Sequence, residues 1–259
     1  VFAPQGWLPM ICPGTKFVTI GGAIANDIHG KAHHVDGSFM NCVLSFTILL
    51  ASGEIVTASR TENQDLFMAN FGGLGLLGVI LTATLQLRKI ETTYFRQQSV
   101  KVKNLDEMLA ALEKYAHYNY SVAWIDSLAK GDKLGRGVLT VGNAASLAEL
   151  PPALQQKPLQ LHKKSALQVP FFLPGFVLNN FTVQILNKII GFVQNSPKEF
   201  IHYEKFFFPL DAIHHWNRGY GKRGFIQYQF VIPETGGEQT LRTIMEMIAK
   251  SGCTPFLNV

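Results

Sequence analysis

The chain has 259 residues, of which 47% are hydrophobic and 16% charged, with a net charge of +5. This length suits one large or two modest domains, and the apolar content excludes an intrinsically disordered chain. The basic residues are scattered in short clusters such as Lys163-Lys164 and Lys222-Arg223. Because a nucleic-acid-binding protein needs a denser basic stripe, we expect no nucleic-acid partner. An anionic small molecule or a phospholipid surface suits the charge better.

The cysteines and the chain ends add two further expectations. Cys12, Cys42 and Cys253 lie far apart and form no CxxC pair, which argues against a disulfide framework and a structural zinc site. The chain begins at Val1 without an initiator Met and ends in an apolar run typical of a strand. We therefore expect a fragment of a longer protein. No run of about 18 apolar residues occurs, which predicts no membrane-spanning segment.

The first 90 residues alternate short strands with glycine-rich turns. Residues 17–20 form an apolar run that predicts a strand leading into Gly21-Gly22. Residues 45–50 and 54–58 flank a short glycine-containing turn, which predicts a hairpin. Helical spacing predicts a helix over residues 63–70, and alternation predicts a strand over 79–87.

A charged break at residues 88–91 predicts a domain boundary near residue 90. Beyond it, strands are predicted over residues 100–102, 121–126, 137–141, 225–232 and 255–259, and helices over 105–117 and 238–251. This order predicts an α+β domain with an antiparallel sheet and helices on one face. The apolar segment 169–193, broken by prolines, glycine and asparagines, is either an internal core segment or a flap over a lipid substrate or a membrane surface.

The strongest local signal is the glycine-rich stretch from residue 13 to residue 34. Gly21-Gly22 lets backbone amides approach an anion, and the small side chains Ala23 and Ala25 keep that approach close. The stretch is therefore either a phosphate or dinucleotide loop or a structural glycine turn. A second glycine pattern, residues 73–78, fits GxGxxG, but its predicted helix precedes it and its predicted strand follows. This order is the reverse of the Rossmann fingerprint.

Several side chains beside the glycine-rich stretch are candidates for chemistry. His29, His33 and His34 have a spacing that could suit a metal, but we expect none because no carboxylate or thiol completes the motif. His29 is either a positioning or polarising group beside a bound cofactor or a structural histidine. Lys31 is either solvated or a cation that stabilises a reduced cofactor or a polar substrate.

The strings PGT, VTIGGAIANDIHGKAHH and GGLGLLGVILTATL resemble the second half of the FAD-binding domain of the vanillyl-alcohol-oxidase (PCMH-type) flavoproteins. The strings SVAWIDS, FFFPLD and GFIQYQFVIP extend the resemblance to the branch of that family that oxidises polyprenylphosphoryl-ribose. The resemblance implies an α+β fold in which residues 1–90 are the carboxy-terminal portion of the FAD-binding domain. Residues 91–259 are then a substrate-binding cap domain, incomplete at its end, with an antiparallel sheet and flanking helices.

The resemblance also implies a site, position by position. The implied FAD contacts are Gly14, Thr19, Ile20, Gly21, Gly22, Asn26, Asp27, Ile28, His29, Val79 and Ile80. The implied catalytic residues are His29, Lys31, Gln227 and Gln229, the last two on one face of the predicted strand 225–232. The implied walls of the substrate pocket are Val122, Trp124 and Phe207. Val122 and Phe207 replace a serine and a tyrosine of the relatives, which makes this pocket less polar.

The implied activity is FAD-dependent oxidation of a sugar hydroxyl, the ribose 2′-OH of a polyprenylphosphoryl-ribose, by hydride transfer to flavin N5. The implied partners are this lipid-linked sugar, a reductase that completes an epimerisation in cell-wall arabinan synthesis, and peripheral membrane contact in a bacterium, at the cytoplasmic or periplasmic face. Two alternatives stay open. One is an aldonolactone or alditol oxidase acting on a soluble sugar, and the other is a truncated, non-catalytic binding module.

Overall fold

The computed structural model describes residues 2–161, 167–179, 181–185, 199–252, 255 and 258–259. The chain forms two compact units. The first contains Val1–Arg96, Asn143–Lys163 and Phe200–Asp211, and the second contains Gln97–Gly142, Lys164–Glu199 and Ala212–Val259. The combination of helices with antiparallel sheets confirms the predicted α+β class. The predicted functional division at residue 90 stays a prediction.

The regular elements are numbered here in chain order. The strands are β1 (Trp7–Pro9), β2 (Val43–Leu49), β3 (Ile55–Ser59), β4 (Val79–Leu85), β5 (Leu87–Lys89), β6 (Tyr94–Val102), β7 (Tyr120–Ile125), β8 (Gly137–Ala144) and β9 (Phe200–His202). The α-helices are α1 (Ile20–Ala25), α2 (His33–Asp36), α3 (Gln64–Asn70), α4 (Leu105–Lys114), α5 (Pro152–Gln155), α6 (Tyr203–Phe207) and α7 (Gly237–Lys250). Residues 181–185 are also helical.

The first unit is built around an antiparallel sheet in the order β3-β2-β4. The predicted hairpin is confirmed as β2 and β3, and Gly53 takes a positive φ in its turn. Phe46 of β2 and Phe67 of α3 are fully buried with their rings stacked at 5.4 Å. Ala23 and Ile24 of α1 join the same core. The sheet and core therefore fix α1 in place, with Gly21 against β4.

The predicted order around the second glycine pattern is confirmed, since α3 ends at Asn70 and β4 begins at Val79. Gly78 has φ +150, and a Cβ there would lie 2.4 Å from the carbonyl oxygen of Leu49. Only glycine fits this close crossing of two backbones. The pattern thus leads into a strand, and packing requires glycine at Gly73 and Gly78, whereas Gly75 has open space around its Cβ position and a positive φ.

The second unit contains the antiparallel pair β7-β8, the greater part of β6, and the helices α4 and α7. Asn104 caps α4 by accepting a hydrogen bond from the Glu107 amide. Leu105 of α4 and Met245 of α7 are buried in one apolar cluster. The predicted helices 105–117 and 238–251 are confirmed, with the first ending at Lys114.

Two strand predictions were wrong. Residues 17–19 form no strand, and residue 20 begins helix α1 because Thr19 provides an N-cap. Residues 225–232 also form no strand, so the common strand face expected for Gln227 and Gln229 is not present. An apolar, β-branched run becomes a strand only when a neighbouring strand pairs with its backbone, and neither run belongs to a sheet of the described residues. The predicted strand 255–259 and segment 169–193 lie partly outside the described residues.

Throughout the part of the chain that the structure describes, no helix has both the length and the apolar character needed to cross a bilayer.

Candidate cofactor site

The amino-terminal end of α1 is the part of the glycine-rich stretch for which anion binding is predicted. Thr19 has an extended backbone, and its Oγ1 accepts a hydrogen bond of 3.0 Å from the Gly22 amide. A Cβ at Gly22 would lie 2.9 Å from this Oγ1, so glycine allows the cap to form. Amides in the first turn of a helix have no acceptor within the helix and point outward as donors. Such a terminus suits a phosphate group.

The chain turns sharply at the end of α1. The Asn26 side chain donates to the Gly22 carbonyl at 2.9 Å, and Asp27 adopts a left-handed conformation with φ 42. The Asp27 carboxylate accepts the Met40 amide at 2.9 Å. Ile28 packs against the core, and its carbonyl accepts the Phe39 amide. These contacts fix the direction in which His29 leaves the helix.

Gly30 crosses the backbone of Cys12 at very short range. A Cβ at residue 30 would lie 1.9 Å from the Cys12 carbonyl oxygen, so no other residue fits without moving the backbone. The Cys12 thiol beneath this crossing is buried, and burial raises its pKa to about 12. Cys12 is therefore a neutral thiol at neutral pH, and we assign it no nucleophilic role.

Lys31 is enclosed by the first unit. Its ammonium donates a hydrogen bond to the Phe206 carbonyl and lies 4.6 Å from the centroid of the Phe206 ring. Burial disfavours the charged form and lowers the pKa of Lys31 to about 8. A lysine with this pKa is partly neutral near neutral pH, whereas a solvated lysine stays almost fully charged there. The hypothesis that Lys31 is an ordinary solvated residue is thus less consistent with its surroundings.

The three histidines form an edge-to-face row on the surface. The ring centroids of His29 and His33 lie 6.3 Å apart, and those of His33 and His34 lie 5.5 Å apart. Nδ1 of His33 lies 3.1 Å from the Gly30 carbonyl, and partial burial lowers the pKa of His33. No group of three potential metal ligands occurs among the described residues. His29 is exposed, and Lys31, two residues later, is half-buried.

Three residues far away in the sequence complete this region, and sequence reasoning missed them as site residues. Asp211 accepts hydrogen bonds from the Thr15 hydroxyl and the Lys16 amide. Glu204 forms an ion pair of 2.7 Å with Lys16, and Phe206 accepts the Lys31 bond. These pairs are separated by 175 to 196 positions. No local pattern around residues 204–211 signals such distant partners.

The remaining predicted residues are divided between the units. Phe207 is buried in the first unit, with its ring centroid 5.0 Å from that of Phe95. Val122 and Trp124 lie on one face of β7 in the second unit. Trp124 is only 8% exposed, and its indole N–H has no hydrogen-bond partner among the described residues. Gln227 and Gln229 are exposed in the same unit. The structure thus brings Lys31 and Phe206 together within the first unit, while the pocket role of the other residues stays a prediction.

The first unit has the backbone amide donors and the open surface that FAD binding requires. Gly14 has no atom within 4 Å of its missing Cβ position, and Thr19, Ile20, Asn26 and Val79 are exposed. A Cβ at Gly21 would lie 3.6 Å from Cβ of Ile80, so β4 supports the helix terminus from below. The backbone amides at this terminus can donate hydrogen bonds to the pyrophosphate of FAD. The apolar strand beside them can pack against a flat ring of the cofactor. The individual contacts stay predictions.

Comparison with known proteins agrees with this geometry. Residues 1–59 match the family described as "FAD binding domain". Over 99% of its length the chain is 40% identical to decaprenylphosphoryl-β-D-ribose oxidase of Mycolicibacterium smegmatis, and it covers 56% of that protein. It is 36% identical over 34% of its length to D-arabinono-1,4-lactone oxidase of Yarrowia lipolytica, covering 16% of that protein. Cytokinin dehydrogenase 5 of Oryza sativa subsp. japonica is 35% identical over 33% of the chain, which covers 15% of that enzyme.

The match over residues 1–59 and the similarity to an FAD-dependent oxidase confirm FAD as the cofactor. The chain is similar along almost its whole length to the mycobacterial decaprenylphosphoryl-ribose oxidase. It spans about half the length of this relative.

Proposed function

We propose that this chain is part of an FAD-dependent oxidoreductase that oxidises a sugar hydroxyl, the ribose 2′-OH of a polyprenylphosphoryl-ribose. The observation that carries the proposal is the 40% identity with the mycobacterial oxidase across both units of the chain. The lactone oxidase and the cytokinin dehydrogenase match only about a third of the chain. Similarity that extends into the second unit, where a PCMH-type flavoprotein selects its substrate, favours the ribose-oxidising branch.

The proposed chemistry divides between the cofactor and the chain. Bound FAD supplies the hydride acceptor, and the chain must orient the sugar and remove the hydroxyl proton. Lys31 suits the second task because its pKa of about 8 leaves part of the population able to accept a proton at Nζ near neutral pH. His29, exposed two residues earlier, suits binding of the sugar hydroxyls. Gln227 and Gln229 are proposed as further polar contacts to the substrate.

Features of the second unit support a substrate with an apolar portion. Phe176 is 77% exposed and Phe181 69% exposed, in a segment that also exposes Phe171. Large exposed apolar patches mark sites for apolar ligands, membranes or partner proteins. Val122 and the unpaired N–H of Trp124 are proposed as substrate contacts in this unit. Phe207 is proposed as an apolar substrate contact in the first unit. We further propose a separate reductase that completes an epimerisation, and peripheral contact of the protein with a bacterial membrane.

The proposal is tested by anaerobic single-turnover experiments on the purified holoprotein. Decaprenylphosphoryl-ribose is mixed with the protein while the visible flavin absorption is recorded, with free ribose and an aldonolactone in parallel samples. We expect the flavin absorption to bleach with the lipid-linked sugar and not with the two soluble compounds. Bleaching by the aldonolactone alone would assign the protein to the lactone oxidases, and a protein that binds FAD but bleaches with none would support the non-catalytic alternative.

A further inference from the structure

We propose that Asp211 is a positioning residue that holds the turn of residues 13–17 in the conformation that binds FAD. The inference rests on the proposed FAD binding at this turn, where Gly14 is one of the expected cofactor contacts. It adds a residue outside the part of the chain that matches the FAD-binding family. The segment that carries Asp211, Phe200–Asp211, is named the clasp segment here.

The Asp211 carboxylate uses both oxygens on the turn. Oδ1 accepts the Thr15 hydroxyl at 2.8 Å, and Oδ2 accepts the Lys16 amide at 2.7 Å. Thr15 in turn accepts the Phe17 amide at 3.2 Å through the same hydroxyl oxygen. Three successive residues of the turn are therefore fixed by one carboxylate. A turn of this kind has little structure of its own to hold it, because none of its residues lies in a helix or strand.

The burial of Asp211 makes these bonds strong. The residue is only 8% exposed, so water competes poorly for its oxygens. Hydrogen bonds to an ionised acceptor are about twice as strong as neutral ones, and a buried carboxylate that lost them would be left unsatisfied. Asp211 and the turn thus stabilise each other's conformation, and the amides around Gly14 keep a single orientation.

Two further contacts join the clasp segment to the same glycine-rich stretch. Lys16 forms its ion pair with Glu204, and Lys31 donates to the Phe206 carbonyl. The clasp segment therefore contacts the stretch before α1 and after it. Phe207, a predicted wall of the substrate pocket, lies in the same segment. Through Asp211, the position of this segment determines the shape of the cofactor turn.

The test compares FAD affinity of the whole protein with that of Asp211→Asn. The amide keeps one oxygen to accept the Lys16 N–H but loses the negative charge that strengthens both bonds. Its N–H₂ group then faces the Thr15 hydroxyl, so the bond to Thr15 must reverse its direction onto an oxygen that already accepts the Phe17 amide. We expect FAD binding, followed by flavin fluorescence on titration of the apoprotein, to weaken by roughly 10- to 100-fold. Asp65→Asn is the matched control, because Asp65 is exposed on α3 in the same unit, and we expect unchanged affinity.

A second set of measurements separates positioning from general damage to the fold. For Asp211→Asn we expect that saturating FAD restores the flavin spectrum, since only the affinity is lowered. Thr15→Val removes one of the two bonds and keeps the carboxylate, so it tests the inference even if Asp211→Asn does not fold, and we expect a smaller loss of affinity. Wild-type affinity in both variants would overturn the role of Asp211 while leaving FAD binding intact. A wild-type protein that binds no FAD would overturn the proposed cofactor and this inference with it.

Discussion

Gly30 and Lys31 are neighbours that carry different kinds of constraint. Gly30 is limited by backbone packing, because any side chain at this position would overlap the Cys12 carbonyl. The charge of Lys31 is constrained by its surroundings, because burial beside Phe206 disfavours the ammonium form. Together they place a lysine of lowered pKa at a fixed position after α1.

The first prediction concerns Gly30. Gly30→Ala introduces a Cβ only 1.9 Å from a carbonyl oxygen, so the backbone must shift. We expect the free energy of unfolding to fall by about 1–3 kcal/mol, the usual cost of overpacking. Urea denaturation followed by circular dichroism measures the change. Gly14→Ala is the control, since no atom lies within 4 Å of its Cβ position and its φ is not positive, and equal destabilisation by the two changes would contradict the account.

The second prediction concerns the proton of Lys31. Its ordinary pKa of 10.5 falls to about 8 in the folded protein, so between these values the unfolded chain binds more protons. This group therefore makes the free energy of unfolding rise with pH across that window, with a limit of about 1.4 kcal/mol per pH unit. Lys31→Met removes this contribution.

The measurement is the difference in unfolding free energy between wild type and Lys31→Met. We expect this difference to increase between about pH 8 and pH 9. Below pH 8 it should change little, because Lys31 is then mostly charged in both the folded and the unfolded protein. Cys12 and Tyr203, whose pKa values are both raised to about 12, remain in the variant. A difference that is independent of pH would mean that the lysine is solvated.

At the scale of elements, the six-residue helix α1 depends on its ends more than on its length. Isolated helices this short are unstable, and two glycines in the first turn lower the helix propensity further. Thr19 compensates by capping the amide of Gly22, and Ala23 and Ile24 anchor the helix in the core. The glycines that destabilise the helix are the same ones that leave its amides accessible.

The third prediction follows from this cap. Thr19→Ala removes the acceptor for the Gly22 amide, and we expect about 1 kcal/mol lower stability, the usual effect of losing an N-cap. FAD affinity should fall as well, because the first-turn amides lose their fixed direction. Thr19→Ser keeps the hydroxyl and should retain both properties. If alanine and serine gave the same FAD affinity, the cap would have no part in cofactor binding.

Elements with a complete local signal could be predicted from the sequence. The β2-β3 hairpin has apolar runs around a glycine turn, and α3, α4 and α7 have clear helical spacing, so their local preferences agree with the fold. Residues 17–20 and 225–232 have the composition of strands but form none. Composition reports how well a side chain suits a sheet, whereas a strand also requires a partner elsewhere in the chain.

In the candidate site too, residues with a local sequence signal could be predicted, and residues defined by distant contacts could not. The glycine-rich stretch could be recognised from its residues, because the amide-rich terminus of α1 is local. Asp211 and Glu204 could not, since their partners Thr15 and Lys16 lie nearly 200 positions away. The lowered pKa of Lys31 was equally inaccessible, because it depends on the burial that the fold produces and on contact with Phe206.

At the scale of the whole molecule, the chain combines a cofactor-binding unit with a second α+β unit of different character. The first contributes amide donors, Lys31 and the clasp segment. The second contributes the unpaired N–H of Trp124 and an exposed aromatic surface. A flavoprotein needs both properties, since the cofactor site is common to the class while the substrate site determines which hydroxyl is oxidised.

The central proposal is that the oxidoreductase to which this chain belongs oxidises a lipid-linked ribose with bound FAD, and the flavin spectrum of the purified holoprotein tests it most directly. The account predicts that the visible flavin absorption bleaches under anaerobic conditions on addition of decaprenylphosphoryl-ribose and stays unchanged with free ribose. A colourless protein that cannot be reconstituted with FAD, or a bound flavin that decaprenylphosphoryl-ribose leaves oxidised, would contradict it.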